Sequence, residues 1–319
     1  MPLKASTVGS IPKESPIKAT ANLAWTMNFA AGCTAGLPLF PEYFDNRHGR
    51  IPEVHPAFLP SCNEIVGMFA SIYHSGYTRE EMIKNTLAHH TCDVIFSGKN
   101  DFRAGHEFES NFKMISATKK KSGIRVVTKF VHSKMDGQHV AEGYFGGVIL
   151  GAELEGEDTV IDSMPERPLR EDGTKLVESV ELLLPPNAAH IWDACIRDTR
   201  VPKAKSSDIN VHTNLDLAEK AGFKARTFTG LCLLANVITL LLCKVDTDGL
   251  RENFTFIERY GCRFSKPVMA LFDSILLDVF YSYKFENSNL TIFFDVVQKT
   301  DGTAIKDGCL VLGTKKSHL

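Results

Sequence analysis

The alternation of apolar and polar positions divides the chain into two similar halves. Residues 123–134, GIRVVTKFVHSK, and 289–300, NLTIFFDVVQKT, are rich in β-branched and aromatic residues and read as strands. Each runs into an Asp-Gly. Asp136-Gly137-Gln138-His139-Val140-Ala141-Glu142-Gly143 aligns with Asp301-Gly302-Thr303-Ala304-Ile305-Lys306-Asp307-Gly308, and an apolar strand ending in Leu-Gly follows each copy, YFGGVILG and CLVLG. Asp-Gly supplies the positive φ that a tight turn between antiparallel strands requires, so each copy is a hairpin. Further upstream, residues 92–115 and 261–283 are both strand–loop–strand segments around a Phe-Ser. Each half is therefore expected to end as an antiparallel meander of three or four strands.

Helices are predicted ahead of each meander. Residues 20–34 and 59–73 read as helical in the first half. In the second, Leu215–Gly222 reads as a short helix stopped by Gly222, and Leu231–Cys243 is apolar all round and therefore buried. An apolar helix followed by a curved antiparallel sheet suggests a sheet wrapped around a helix. Two such units suggest α+β halves side by side sharing one sheet. The acidic, proline-containing stretch AELEGEDTVIDSMPERPLREDGTK between them places a linker at 156–175, with repeats at 1–155 and 176–319.

Composition narrows the function classes. With 44% hydrophobic and 23% charged residues over 319 positions, the chain is not a disordered one. Its 36 basic and 38 acidic residues leave no basic excess, so nucleic acid is not an expected partner. Leu231–Cys243, the longest apolar run, contains Asn236 and Thr239 and is shorter than the ~20 residues a membrane span needs, so no membrane association is expected. The eight cysteines form no C-x-x-C pair and read as buried thiols of a reducing compartment; no metal site is expected. The N-terminus lacks the apolar core of a secretory signal, so the sequons at Asn253 and Asn289 read as chance. The terminal Ser317-His318-Leu319, with Lys315 and Lys316 before it, fits a peroxisomal address; otherwise the expected location is cytoplasmic.

The candidate chemistry lies in residues 206–232. Asp208 and His212 stand four apart in a polar segment before the short helix, and Gly230 opens the buried helix. A helix N-terminus presents unsatisfied N–H groups and a partial positive charge, which can polarise a carbonyl. A carboxylate and an imidazole beside it can move protons.

Here the sequence resembles the MaoC-like, (R)-specific enoyl-CoA hydratase family of hotdog folds. That family carries S-G-D-x-N-P-(L/I/V)-H, an Ala six residues after the His, and a His-Gly opening the hotdog helix. Ser207, Asp208, Asn210, His212, Ala218, Thr229 and Gly230 fall on those positions, with Ser207 for Gly, Thr229 for His, no Pro, and an Asp-to-His spacing shorter by one. About ten residues, roughly DTRVPKAK, are inserted ahead of the motif. The resemblance implies a double hotdog, with Asp208 and His212 as catalytic residues and Asn210, Gly230, Thr229 and Ser207 as substrate-binding ones. It implies syn hydration of trans-2-enoyl thioesters or dehydration of (R)-3-hydroxyacyl thioesters. No cofactor is expected beyond coenzyme A as part of an acyl-CoA or acyl-thioester substrate. The first repeat is expected to be non-catalytic and to shape the acyl site. Monomer and homodimer both stay open.

Two other readings remain: a pathway-specific dehydratase, isomerase or cyclase on the same fold, and a non-catalytic acyl-thioester binder. A thioesterase fits less well, because Leu231–Cys243 has no Asp or Glu. His89-His90 read as the start of a strand, His139 as solvated in a turn, Gly146-Gly147 as a bulge or close strand packing, and Cys232 as a buried thiol. Lys203, Lys205, Lys224 and Arg226 suit either the phosphates of coenzyme A or a solvated loop.

Overall fold

The structure, a computed structural model, describes residues 2–33, 37, 40–98, 102–171, 175–196, 211–270, 273–286 and 288–314. Lys203, Lys205, Ser207, Asp208, Asn210, the inserted stretch and the terminal Ser317-His318-Leu319 lie outside the described residues. The first repeat comprises β1 (Leu3–Lys4), β2 (Ile17–Thr20), α1 (Leu23–Cys33), α2 (Pro41–Phe44), α3 (Ile65–His74), α4 (Arg79–Lys84), β3 (Leu87–Phe96), β4 (Glu107–Lys120), β5 (Gly123–Lys134) and β6 (His139–Leu150). Two short strands, β7 (Leu154–Glu155) and β8 (Thr159–Val160), follow. The second comprises β9 (Glu178–Leu184), α5 (Ala188–Cys195), α6 (Leu215–Lys220), β10 (Arg226–Thr227), α7 (Gly230–Thr247), β11 (Phe254–Phe264), β12 (Met269–Ala270), β13 (Ile275–Glu286), β14 (Asn289–Gln298) and β15 (Gly302–Thr314).

One eleven-stranded sheet holds both repeats. Its order is β2-β4-β5-β6-β3-β11-β15-β14-β13-β9, with β8 paired to β4. The first five strands recur as the last five in reverse, β2 answering to β9 and β3 to β11. The repeats therefore meet strand to strand where Asp93 lies opposite Gly261. This is the double hotdog expected from the sequence: each repeat ends in four antiparallel strands, and a fifth, β2 or β9, comes from ahead of the helices.

The repeated Asp-Gly…Gly motif has two physical jobs. Gly137 and Gly302, both at φ 87°, make the β5–β6 and β14–β15 turns. Gly143 and Gly308 lie opposite Phe130 and Phe294 on the neighbouring strand. A Cβ on Gly308 would come within 2.4 Å of the Phe294 ring, so the bare backbone is what lets the ring lie flat.

The helices pack on the inner face. Helix α7 runs from Gly230 to Thr247, four residues past the predicted end, and its residues 231–242 are all buried. Each fully buried Leu, Ile or Val contributes about 1.5–3 kcal/mol. Helix α3 follows a π-helical turn at Pro60–Glu64 and brings Gly67 onto the Phe130 and Phe112 rings. Helices α1 and α5 occupy equivalent places after β2 and β9 and pack on each other. Phe29 and Trp192 have ring centroids 5.2 Å apart, and Trp25 Nε1 donates to the Cys195 carbonyl oxygen (3.0 Å).

The chain between the repeats covers the outer face. Met164 packs on a small cluster of Ile115, Val127 and Tyr144. Where the repeats meet, Asp93 is fully buried and accepts from Arg167 Nε and Arg259 Nε, both at 2.8 Å. Arg259 also donates to the Pro165 and Glu166 carbonyls.

Candidate active site

His212 sits in a turn just ahead of α6. Asn214 caps that helix by accepting from Leu217 N (3.1 Å), and Gly222 at φ 85° stops it. The chain then forms β10, which pairs antiparallel with β12 and leads into Thr229 and α7. Thr227 N donates to the Val211 carbonyl (3.3 Å) and Phe228 N to that of Val268 (2.7 Å), so the residues preceding α7 are held on both sides.

His212 Nδ1 lies 2.7 Å from the Thr227 carbonyl oxygen and 3.1 Å from its hydroxyl. A carbonyl only accepts, so Nδ1 carries the proton and Nε2 is the basic nitrogen. Burial lowers the pKa of His212, opposed by the bond to Thr227 and by the charge of Asp193 on α5.

Thr229, expected among the substrate-binding residues, uses its hydroxyl to accept from Cys232 N (3.1 Å) as the N-cap of α7. Among the described residues, nothing accepts from the N–H groups of Gly230 and Leu231. The Phe264 ring lies against Gly230 so closely that a Cβ there would meet it at 2.8 Å. Cys232 is a buried free thiol whose pKa is pushed up by burial, in line with the plain reading of it. Lys224 is exposed, and Arg226 Nη1 lies 3.2 Å from His190 Nε2.

The first repeat contributes His89. Strand β3 pairs His89 with Gly147 and Thr91 with Gly146, so His90 is the extra residue of a β-bulge. Thr91 points outward, accepting from Arg167 Nη2, and the charges around His90 are Arg125, Arg263, Lys120 and Arg167. Two successive outward residues turn His89 to the inner face. There its ring lies 4.8 Å from that of Phe145 and 6.5 Å from that of Phe264. Burial and then the charge of His212 lower its pKa to about 3. His89 and His212 are each partly buried. The two imidazoles and the helix N-terminus thus lie near one another where the repeats meet, linked through the Phe264 ring.

The equivalent end of the first repeat differs. There Phe96 takes the place of Phe264, and it packs with Val54, His55, Pro56, Leu59, Phe102 and Val140. His55 is internally satisfied. Its Nε2 lies 3.0 Å from Thr239 Oγ1, and Nδ1 accepts from Ala57 N (3.2 Å). Among the described residues, no group of three or more His, Cys, Asp or Glu is arranged to hold a metal ion.

Sequence reasoning missed His89, Asp193 and Thr227. Gly146-Gly147 opposite His89-His90 was the available sign of the bulge. Asp193 stands in a helix well upstream of His212 and carries no local sign.

The chain matches no family model and no curated protein sequence. Its fold does match solved structures. A MaoC-like dehydratase from Phytophthora capsici aligns over 97% of this chain and 99% of its own, with a TM-score of 0.71 at 18% identity. The full-length peroxisomal multifunctional enzyme type 2 from Drosophila melanogaster aligns over 93% of this chain and 48% of its own, with a TM-score of 0.64 at 16% identity. The chain thus spans about half the length of that enzyme. A Mycobacterium tuberculosis protein described as a double hotdog aligns over 93% of this chain and 94% of its own, with a TM-score of 0.54 at 11% identity. At these identities the likeness is one of fold.

Proposed function

We propose that the chain, a double hotdog like the MaoC-like dehydratases, is a hydro-lyase acting on acyl thioesters. The observation that carries this reading is the bond from His212 Nδ1 to the carbonyl of Thr227, three residues ahead of the helix N-terminus at Gly230, which leaves Nε2 as the basic nitrogen.

In the hydration direction, Nε2 of His212 takes a proton from water as the water oxygen bonds to C3 of a trans-2-enoyl thioester. The π electrons move toward the thioester oxygen, and the N–H of Gly230 stabilises the developing enolate oxygen. A proton added at C2 then gives the 3-hydroxyacyl thioester. Dehydration is the reverse. By the family resemblance, Asp208 shares the proton transfers and Asn210 holds the segment. The substrate is written as a coenzyme A thioester, with coenzyme A part of the substrate.

The test is loss of absorbance of the conjugated thioester with short, medium and long trans-2-enoyl-CoA, using His212→Ala and Asp208→Ala. Turnover that both substitutions abolish is the expected result. A folded sample that turns over none of the thioesters would overturn the reading and move the weight to a specialised isomerase or cyclase.

A further inference from the structure

His89 is an unusual residue for the surface it stands on. Around it are Phe145 and Phe264, and the strand must bulge at His90 to turn it inward. Bulges re-aim side chains and gather near functional sites. The second repeat shows what the fold itself asks for here. When β3 and β11 are aligned on their terminal Phe96 and Phe264, His89 falls against Ile257, and β11 also shifts register between Ile257 and Arg259. Ile257 belongs to the apolar core, so packing at this position is met by a hydrocarbon side chain.

His89 has no hydrogen-bond partner among the described residues, is only partly buried, and lies near enough to His212 to feel its charge. Ring nitrogens that are open to solvent can exchange water for a ligand oxygen or nitrogen. Its charge state narrows the role. With a pKa near 3 the ring stays neutral from pH 5 to 9, so it does not exchange a proton in that range. It offers instead one N–H donor and one acceptor.

From the bulge, the ring contacts and the apolar equivalent at Ile257, we infer that His89 reads an oxygen function on the acyl group. The substrate carries a hydroxyl or carbonyl on the part of its chain that lies across Phe264 and Phe145, where a simple fatty acyl thioester has only methylene groups. This rests on the acyl-thioester reading of the site and adds a substrate class to it. His89 is a specificity residue, and the first repeat supplies it to a site whose reacting groups come from the second.

The test compares trans-2-hexenoyl-CoA with its 4-hydroxy, 5-hydroxy and 5-oxo counterparts, using the full chain and His89→Leu, His89→Gln and His212→Ala. The wild type should prefer at least one oxygenated substrate by about 10- to 100-fold in kcat/KM. His89→Leu should erase that preference, read as the ratio of kcat/KM for the oxygenated substrate to that for trans-2-hexenoyl-CoA within the same variant. His89→Gln, which keeps a donor and an acceptor, should restore part of it and guards against a folding defect. The inference is overturned if no oxygenated substrate is preferred, or if the preference survives in His89→Leu. If none of the thioesters turns over, the hydro-lyase reading fails by itself. Equilibrium binding of hexanoyl-CoA and its 4- and 5-hydroxy analogues then decides His89, whose replacement by Leu must remove any preference for the oxygenated ligand. Equal or absent binding of all three overturns the inference too.

Discussion

The Nδ1 of His212 lies 2.7 Å from the backbone carbonyl oxygen of Thr227. Thr227 belongs to the short strand that delivers Gly230, so one hydrogen bond sets the imidazole tautomer and its position relative to the helix N-terminus. Side-chain placement by a backbone carbonyl cannot be removed by substituting Thr227. The hydroxyl, at 3.1 Å, is the lesser partner, and Thr227→Val should leave most activity in place.

The pH dependence of kcat/KM follows from that environment. Burial holds the His212 pKa below its ordinary 6.5, so the ring is neutral and basic at pH 7. Activity should be flat around neutrality and fall as pH drops through the depressed value. Asp193 opposes the shift by favouring the imidazolium. Asp193→Asn should therefore move the acid limb of the pH–rate profile to still lower pH. A shift toward higher pH would contradict the assignment of that limb to His212.

His55 should make the fold acid-sensitive. It is 1% exposed, and burial lowers its pKa to about 3. Above pH 6.5 neither the folded nor the unfolded state protonates it, and its stability contribution is fully present. Between 6.5 and 3 the unfolded chain binds a proton that the folded chain does not, so stability falls with pH by up to about 1.4 kcal/mol per unit. Urea denaturation at pH 7, 6, 5 and 4 should show a shallower decline in His55→Leu than in the wild type.

The junction of the repeats should be sensitive to charge in an unequal way. Asp93 accepts one guanidinium on each carboxylate oxygen, and both arginines are largely buried. Asp93→Asn leaves two buried cations without a counter-ion and should cost about 3–5 kcal/mol. Arg167→Met leaves the Asp93–Arg259 pair intact and should cost less. Chemical denaturation of the two variants checks the order, and an equal loss would show that Arg167 matters for more than its charge.

Much of this fold was legible because its signals are local and occur twice. The Asp-Gly turns at 136–137 and 301–302 fixed two hairpins, and the unbroken apolar run after Gly230 marked a buried helix. What sequence could not give is what the shared sheet brings together. His89 and His212 belong to different repeats, and the β3–β11 pairing helps bring their regions together. Strict alternation from Cys92 would even turn His90 inward and His89 outward. The bulge opposite Gly146-Gly147 reverses this, and a one-residue slip of that kind leaves no mark in a hydrophobic pattern. Nor did the sequence show that Thr229, on the family's His position, uses its hydroxyl to cap α7.

Gly230 offers the sharpest test of the site because the obstacle to substitution is one aromatic ring. The Phe264 ring atoms would lie 2.8–3.1 Å from an added Cβ, closer than real contacts allow, so Gly230→Ala must push that ring aside. The helix itself should tolerate the change: Ala is favourable in helices, and the Thr229 cap is untouched. Stability should therefore change by no more than about 1 kcal/mol. Activity should fall further, by about tenfold or more, because the displaced ring moves beside the N–H proposed to bind the thioester oxygen. Phe264→Leu removes the clash, so the double variant Gly230→Ala/Phe264→Leu should regain activity relative to Gly230→Ala alone. That non-additivity, measured as kcat/KM across the four proteins, is what a shared site requires. Strict additivity would mean that Phe264 and Gly230 act separately and that the thioester oxygen binds elsewhere.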